Sequence, residues 1–372
     1  MRGRFGVSTA LLVALSGCAE ETPEPGSFFG DGCVLETEAP LCDDCIEFAH
    51  VTRLGSDELG PGFLTDDGTM DNVVRDSLGN YWVGQVEQIK VFDREGSFLR
   101  TVGRRGNGPM EFRRAEPMHA DAFGRVHIID TSENRRISVI GGGFTLAEEK
   151  RLPPSVSAFA PLNDGERYVV QASIGERGRT GMPIHIIDDS GVLKSFGAGE
   201  EPDESWLGSI DLRLAGGPEG HVFAAHPVEY MIEGWSQEGT RVGRLRREPA
   251  LNAETSLQEP PSPDNPPPSG IFDIHPDSDG LLWVSLLILR PDWLQHIMWD
   301  PSGDVSSEVA PDVITRMYQP RLDVIDLAAC TLVASRLHDQ MLVLLDDRTV
   351  LGYGFTELGA NTLDVLRVWL DR

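Results

Sequence analysis

The residues with most chemical capacity in this sequence are four scattered cysteines, a handful of histidines and one cluster of arginines. Cys42 and Cys45 have Cys-x-x-Cys spacing, with Cys33 just upstream and Cys330 far downstream. That spacing suits a metal thiolate pair or a redox disulfide. A zinc site needs two further ligands at finger-like spacing, which do not follow, and a thioredoxin-like motif needs a βαβ context, which is missing. His119, His127, His185, His221 and His226 are candidate acids, bases or metal ligands by residue type. No pair of them has ligand spacing, so packing or surface roles are expected and no cofactor or metal is called for. His127 alternates with Val126 and Ile128, which places it on the less buried face of a strand. Nucleophile elbow, phosphate loop and His-Glu-x-x-His elements are all absent from the sequence, and catalytic residues are therefore not assigned.

Arg100, Arg104, Arg105, Arg113 and Arg114 flank the segment Gly106–Phe112 in a chain that is otherwise acidic. A guanidinium fork matches a carboxylate or phosphate, so Arg104, Arg105, Arg113 and Arg114 are candidate contacts for an anionic ligand. The competing reading is that they pair with surplus carboxylates of the same fold. The chain carries 32 Lys plus Arg against 59 Asp plus Glu, a formal charge of -27. Such a balance argues against nucleic acid, whose binding depends on clustered cations releasing counterions. A protein or a small anionic ligand is the expected partner, and the chain is expected to be a monomer.

Location is written at the N-terminus. Arg2 and Arg4 precede an apolar stretch from Phe5 to Leu15, followed by Leu15-Ser16-Gly17-Cys18. This resembles a bacterial lipoprotein signal peptide with its lipobox, which implies removal of residues 1–17 and acylation of Cys18. The stretch is too short for a permanent membrane-crossing helix. Acyl chains on Cys18 would make the membrane a partner through the summed partition energy of their methylenes. Ala19 rather than Asp follows the cysteine, which by the same resemblance implies the outer membrane, facing periplasm or cell surface. Residues 18–45 read as a flexible, cysteine-containing tether rich in Glu, Pro and Gly. In an exported protein the default state of cysteine is the disulfide. Cys33, Cys42, Cys45 and Cys330 are the candidates, and one bridge from Cys33 to Cys42 or Cys45 is expected.

What must position any site is a repeat. Glycine turns precede apolar runs at Gly79-Asn80-Tyr81-Trp82-Val83, Gly124-Arg125-Val126-His127-Ile128, Gly165-Glu166-Arg167-Tyr168-Val169, Gly220-His221-Val222-Phe223 and Gly280-Leu281-Leu282-Trp283-Val284. Second glycines at 96, 143, 191 and 239 lie 47, 48 and 48 residues apart. A turn of few residues between antiparallel strands favours a residue that accepts positive φ, and nearby Asp or Asn can bond its backbone. A period of that length holds four short strands, the unit of a β-propeller blade. Near the C-terminus, Ala310–Pro320 is too short for two more strands, so residues 290–320 read as an insertion in the fifth blade. A second insertion lies near 248–270 and includes Pro266-Pro267-Pro268. Strands at Met341–Leu345, Val350–Phe355 and Leu363–Leu370 lack a fourth, which Ile46–Gly55 can supply. The expectation is an all-β, six-bladed propeller of four-stranded antiparallel blades over residues 46–372, closed by its N-terminal strand, with seven blades as the alternative.

Gly103-Arg104-Arg105-Gly106-Asn107-Gly108-Pro109-Met110-Glu111-Phe112, then Pro117, Asp121, Gly124 and Asp130, then Asn134-Arg135-Arg136-Ile137-Ser138-Val139, resembles an NHL-type repeat. The chain is similar to bacterial six-bladed propeller lipoproteins across blades one and two. That resemblance implies a membrane-anchored, extracytoplasmic binding or scaffolding propeller. Related six-bladed folds include lactonases and lyases, so the alternative is a metal-dependent hydrolase or lyase acting in the channel. Fold alone does not transfer such chemistry.

Overall fold

A computed structural model describes residues 31–35, 42, 44–56, 59–65, 72–121, 123–132, 134–162, 165–172, 174, 183–197, 212–247, 251, 262, 264–296, 315–356 and 360–371. The expected signal peptide over 1–17, Cys18 and the expected tether up to residue 30 lie outside these. Six blades stand in sequence order, and the seven-blade alternative is set aside. Blade 1 comprises Val73–Arg75, Tyr81–Gln85, Gln88–Phe92 and Phe98–Val102. Blade 2 comprises Ala115–Ala120, Val126–Asp130, Arg136–Gly141 and Thr145–Arg151. Blade 3 is Val156–Pro161, Tyr168–Ala172, Ile184–Asp188 and Gly191–Phe196. Blade 4 is Arg213–Gly216, Val222–Ala225, Met231–Trp235 and Arg241–Arg247. Blade 5 is Gly270–Pro276, Leu281–Leu289, Tyr318–Asp326 and Thr331–Leu337. Blade 6 is Met341–Asp346, Thr349–Phe355 and Asn361–Leu370, completed by Ile46–Leu54.

The closing strand pairs antiparallel with the last one, from Ile46 opposite Leu370 to Leu54 opposite Leu363. Ring closure thus joins the two ends of the chain by backbone hydrogen bonds and leaves blade 6 without an incomplete edge. The insertion in blade 5 falls between Leu289 and Tyr318, and its described part holds a short 3-10 helix, Trp293–Gln295. The 248–270 segment connects blade 4 to blade 5.

Burial explains why the strands alternate as they do. The second strands of blades 1 to 4 are buried at every position. Each is sandwiched between two neighbouring blades, and the side chains of its two faces enter different cores. Val126 and Ile128 pack against blade 1, whereas Ile129 packs against blade 3. Six such apolar clusters, one between each successive pair of blades, form the core. Apolar area removed from water at these interfaces, at about 25 cal/mol per Å², is what holds the ring together. His127 is therefore fully buried, contrary to its expected place on a less buried face, because a middle strand has no such face.

Two expectations about the N-terminal segment are corrected. Asp31–Leu35 is not free tether but a fifth strand of blade 4, running parallel to the outermost one with Cys33 opposite Leu245. Cys33 bonds to Cys330, 297 residues away, and Cys42 bonds to Cys45. The expected bridge from Cys33 into the Cys42/Cys45 pair is absent for a geometric reason. Cys33 sits at the rim of blade 4, beside the turn of blade 5 that carries Cys330. The Cys42 amide, by contrast, bonds the Ser335 carbonyl on the outermost strand of blade 5, at 3.0 Å. The segment so described runs along the rim from blade 4 across blade 5 to blade 6.

Candidate functional site

The innermost strands line a central channel, which opens into a cavity of about 520 Å³. Its walls are apolar over Val74, Met118, Ala160, Leu214, Ile274 and Leu344, and polar at Arg75, Asp76, His119, Asp121, Asp273 and Asp346. Because inner strands all run the same way through the ring, the turn following each one gathers at one mouth. These are the turns marked by the first set of glycines.

Three of these turns share one construction. Asp76 Oδ1 accepts the amides of Leu78 and Asn80, and Oδ2 accepts Trp82 Nε1 at 3.0 Å. Asp277 does the same with the amides of Asp279 and Leu281 and with Trp283 Nε1 at 2.8 Å. In blade 2, Asp121 takes the amides of Phe123 and Arg125, and its Oδ2 meets His127 Nε2 at 2.9 Å. Glycines 79, 124 and 280 hold positive φ at the third step of each turn, a conformation costly for a residue with Cβ. An aspartate thus caps each hairpin and an aromatic N–H from the second strand closes it. His127 also meets Tyr168 Oη through Nδ1 at 3.0 Å. Burial pushes its pKa below the usual imidazole range, despite the pull of Asp121. His127 is a hairpin fixture, not a channel acid or base.

The other histidines divide similarly. His185 bonds Ser195 Oγ and the Ala172 carbonyl. His221 bonds the Pro218 carbonyl, and His226 accepts the amides of Val228 and Glu229. His119 alone of the five sequence candidates lines the channel, its ring 5.3 Å from that of Phe159. Burial depresses its pKa to about 4. Among the described residues, no three His, Cys, Asp or Glu side chains converge in a manner suited to a metal ion.

Asp273 was not foreseen. It lies on the innermost strand of blade 5, with Oδ1 accepting the Ile274 amide at 2.9 Å and Oδ2 the Leu344 amide at 2.7 Å. Burial raises its pKa to about 6, against the opposing pull of those amides and of Arg213 and His275. The other channel acids are committed elsewhere: Asp346 pairs with Arg75 at 3.2 Å, while Asp76 and Asp121 cap their turns. His275, on the same strand, pairs with Asp347 at 2.9 Å and holds that carboxyl well below its usual range. No sequence motif marks Asp273. What distinguishes it is its position at a register shift within the strand, between Ile271 and Asp273.

The arginine candidates gather on the opposite face. Gly103–Phe112 leaves the outermost strand of blade 1 and folds back so that Arg104–Arg105 runs parallel to Glu111–Phe112. Phe112 is fully buried beneath Gly103, where any Cβ would lie 2.3 Å from its ring. Arg104 bonds Glu111 Oε1 at 2.7 Å, while Glu111 Oε2 accepts the Gly108 amide at 2.8 Å. Arg105 pairs with Glu87 at 3.2 Å. Arg113 bonds the side chain of Asn107 through Nε, and its amide donates to Asp130; Arg114 also has a partner. Asn134 and Arg136 donate to the carbonyls of Gly106 and Gly108. Gly103–Phe112 and Asn134–Arg136 are therefore one hydrogen-bonded unit, in which the second segment braces the first.

Residues 79–196 match the DUF5128 family, described as a 6-bladed beta-propeller. No curated protein sequence matches the chain. Among solved structures, a Bacteroides fragilis protein described as exported is similar with a TM-score of 0.58 at 12% identity, over 91% of this chain and 99% of that one. A DUF4221 family member from Bacteroides vulgatus has a TM-score of 0.55 at 8% identity, over 89% and 100%. At such identities the likeness is one of fold. The chain is an all-β, six-bladed propeller built from four-stranded antiparallel blades.

Proposed function

We propose that this is an exported lipoprotein, held on the outer membrane through Cys18, whose propeller binds a small polar ligand in its central channel without transforming it. The observation that carries the reading is Asp273: a carboxyl lining a cavity of about 520 Å³, held in place by the amides of Ile274 and Leu344. With its pKa raised to about 6, the group can accept from an amine or hydroxyl when ionised and donate to a carbonyl when protonated. The apolar side chains of Ile274 and Leu344 beside it lower the local dielectric and so strengthen any such bond. Asp76, Asp121, Asp346 and His275 have committed partners, which leaves Asp273 as the channel carboxyl best placed to meet a ligand. Export is supported by the sequence signal, by two disulfides and by the described export of the Bacteroides fragilis relative. No helix among the described residues is long and apolar enough to cross a membrane.

Thermal shift and calorimetry of the full chain against small amines, polyols and amides test the binding half. A saturable ligand whose effect disappears in Asp273→Asn supports it. Turnover of the bound compound, or binding that ignores Asp273, counts against it. Labelling of cells with an alkynyl fatty acid tests the anchor: incorporation should vanish in Cys18→Ser, and retained label would refute it.

A further inference from the structure

On the face opposite the hairpin mouth, a second cavity of about 440 Å³ is bounded by Thr65, Gln85, Glu87, Gln88, Arg104 and Arg105. It shares no lining residue with the channel cavity and is built from two hydrogen-bonded walls. One wall is the braced loop just described, in which Glu111, Asn134 and Arg136 hold the backbone that carries the two arginines. The other is the turn between the second and third strands of blade 1. Val86 at its tip has φ 53, a conformation that β-branched residues rarely adopt. Its carbonyl accepts the Ala115 amide at 2.6 Å, which ties the turn to the next blade. Strain held in place by a tertiary bond is a common mark of a preorganised site.

The two guanidinium groups remain largely in solvent, with Arg104 80% and Arg105 67% exposed. Each holds one carboxylate in an ion pair that water screens, and such pairs contribute little. A ligand that offers two oxygens to both forks forms more charge-assisted bonds than either glutamate does. The platform is already ordered, so little conformational freedom is lost on binding.

We infer that this groove binds a small carboxylate- or phosphate-bearing ligand, gripped by Arg104 and Arg105, with Glu87 displaced from Arg105 as the ligand enters. The overall charge of -27 makes a long polyanion such as nucleic acid a poor candidate, whereas a small dianion meets only the local field.

Inorganic phosphate and succinate are the probes, titrated into the purified full chain at low ionic strength by calorimetry. At least one should bind saturably, and the pair of arms tells phosphate from carboxylate recognition. Arg104→Gln or Arg105→Gln should weaken binding at least about tenfold, the loss of one charge-assisted contact. Glu87→Gln, which removes the competing carboxylate, should tighten it severalfold. Arg94→Gln, an exposed arginine at another turn of blade 1, should leave it unchanged. Thermal midpoints of the variants show that the fold is retained, since both arginines are exposed. Absence of saturable binding by both probes, or equal weakening by Arg94→Gln, or indifference to Arg104 and Arg105 in folded variants, would overturn the assignment.

Discussion

His127 Nε2 stands 2.9 Å from Asp121 Oδ2 in the place that Trp82 Nε1 takes against Asp76 and Trp283 Nε1 against Asp277. The three pairs are one device, an aspartate capping a hairpin and receiving an N–H from six residues on. Removing the aromatic therefore tests a fold element, not a reaction. His127→Ala also strips a partner from the buried Tyr168 hydroxyl and leaves a void, so it should cost about 3 kcal/mol. Trp82→Phe loses one hydrogen bond and leaves a smaller void, so about 2 kcal/mol is expected. Urea unfolding of the two variants checks the order.

The cysteines allow a second test. Cys33 and Cys330 close a loop of 297 residues, and loss of a native bridge of this kind costs about 2–5 kcal/mol. Cys33→Ser should lower the unfolding midpoint, and reductant should bring the wild-type protein down to match. A variant that melts with the wild type in oxidising buffer would show that blade 4 keeps its fifth strand without the bond.

Much of the frame was legible because its signals are local. Glycines 79, 124, 165, 220 and 280 and the set at 96, 143, 191 and 239 mark turns that need positive φ, and a turn's demand is written in its own few residues. The closing strand at Ile46 was readable because the last blade came up one strand short. Four things were not readable. The Cys33–Cys330 pairing depends on ring geometry that brings distant residues to one rim. Asp31–Leu35 is too short and irregular to show strand periodicity. His127 misled because alternation implies an open face only in a sheet covered on one side, whereas a middle propeller strand is covered on both. Asp273 left no trace, since a carboxylate in a channel differs from one in a turn only by what surrounds it.

Acid should expose opposing titrations. Burial holds both His119 and His226 at a pKa of about 4 in the folded chain, against 6.5 when unfolded. The unfolded chain therefore binds more protons between those values, and stability present above pH 6.5 is lost as pH falls toward 4. Asp273 acts in the other direction. Its folded pKa of about 6 exceeds the ordinary 3.8, so its proton stabilises the fold as pH falls from 6 toward 3.8. Asp273→Asn removes that offset and should steepen the acid-side decline. Denaturant midpoints between pH 6 and pH 4 for wild type and variant decide it, with parallel curves as the contrary result.

Gly103 offers a sharper structural test than any arginine. Its φ of 78 and the Phe112 ring 2.3 Å from a would-be Cβ leave no room for alanine. Gly103→Ala should cost about 2 kcal/mol or more through strain and displacement of the ring. Proteolysis within 103–112 should accelerate in the variant, because the loop loses the plug that seats it.

The rim segment has a mechanical consequence. Any tension applied to the chain upstream of residue 33 reaches the Cys33–Cys330 bond before it reaches the hydrogen bonds of Ile46–Leu54. A covalent link thus shields the zipper that closes the ring, and the load passes into blade 5. The propeller can be tugged by its leading end without being unwound from it.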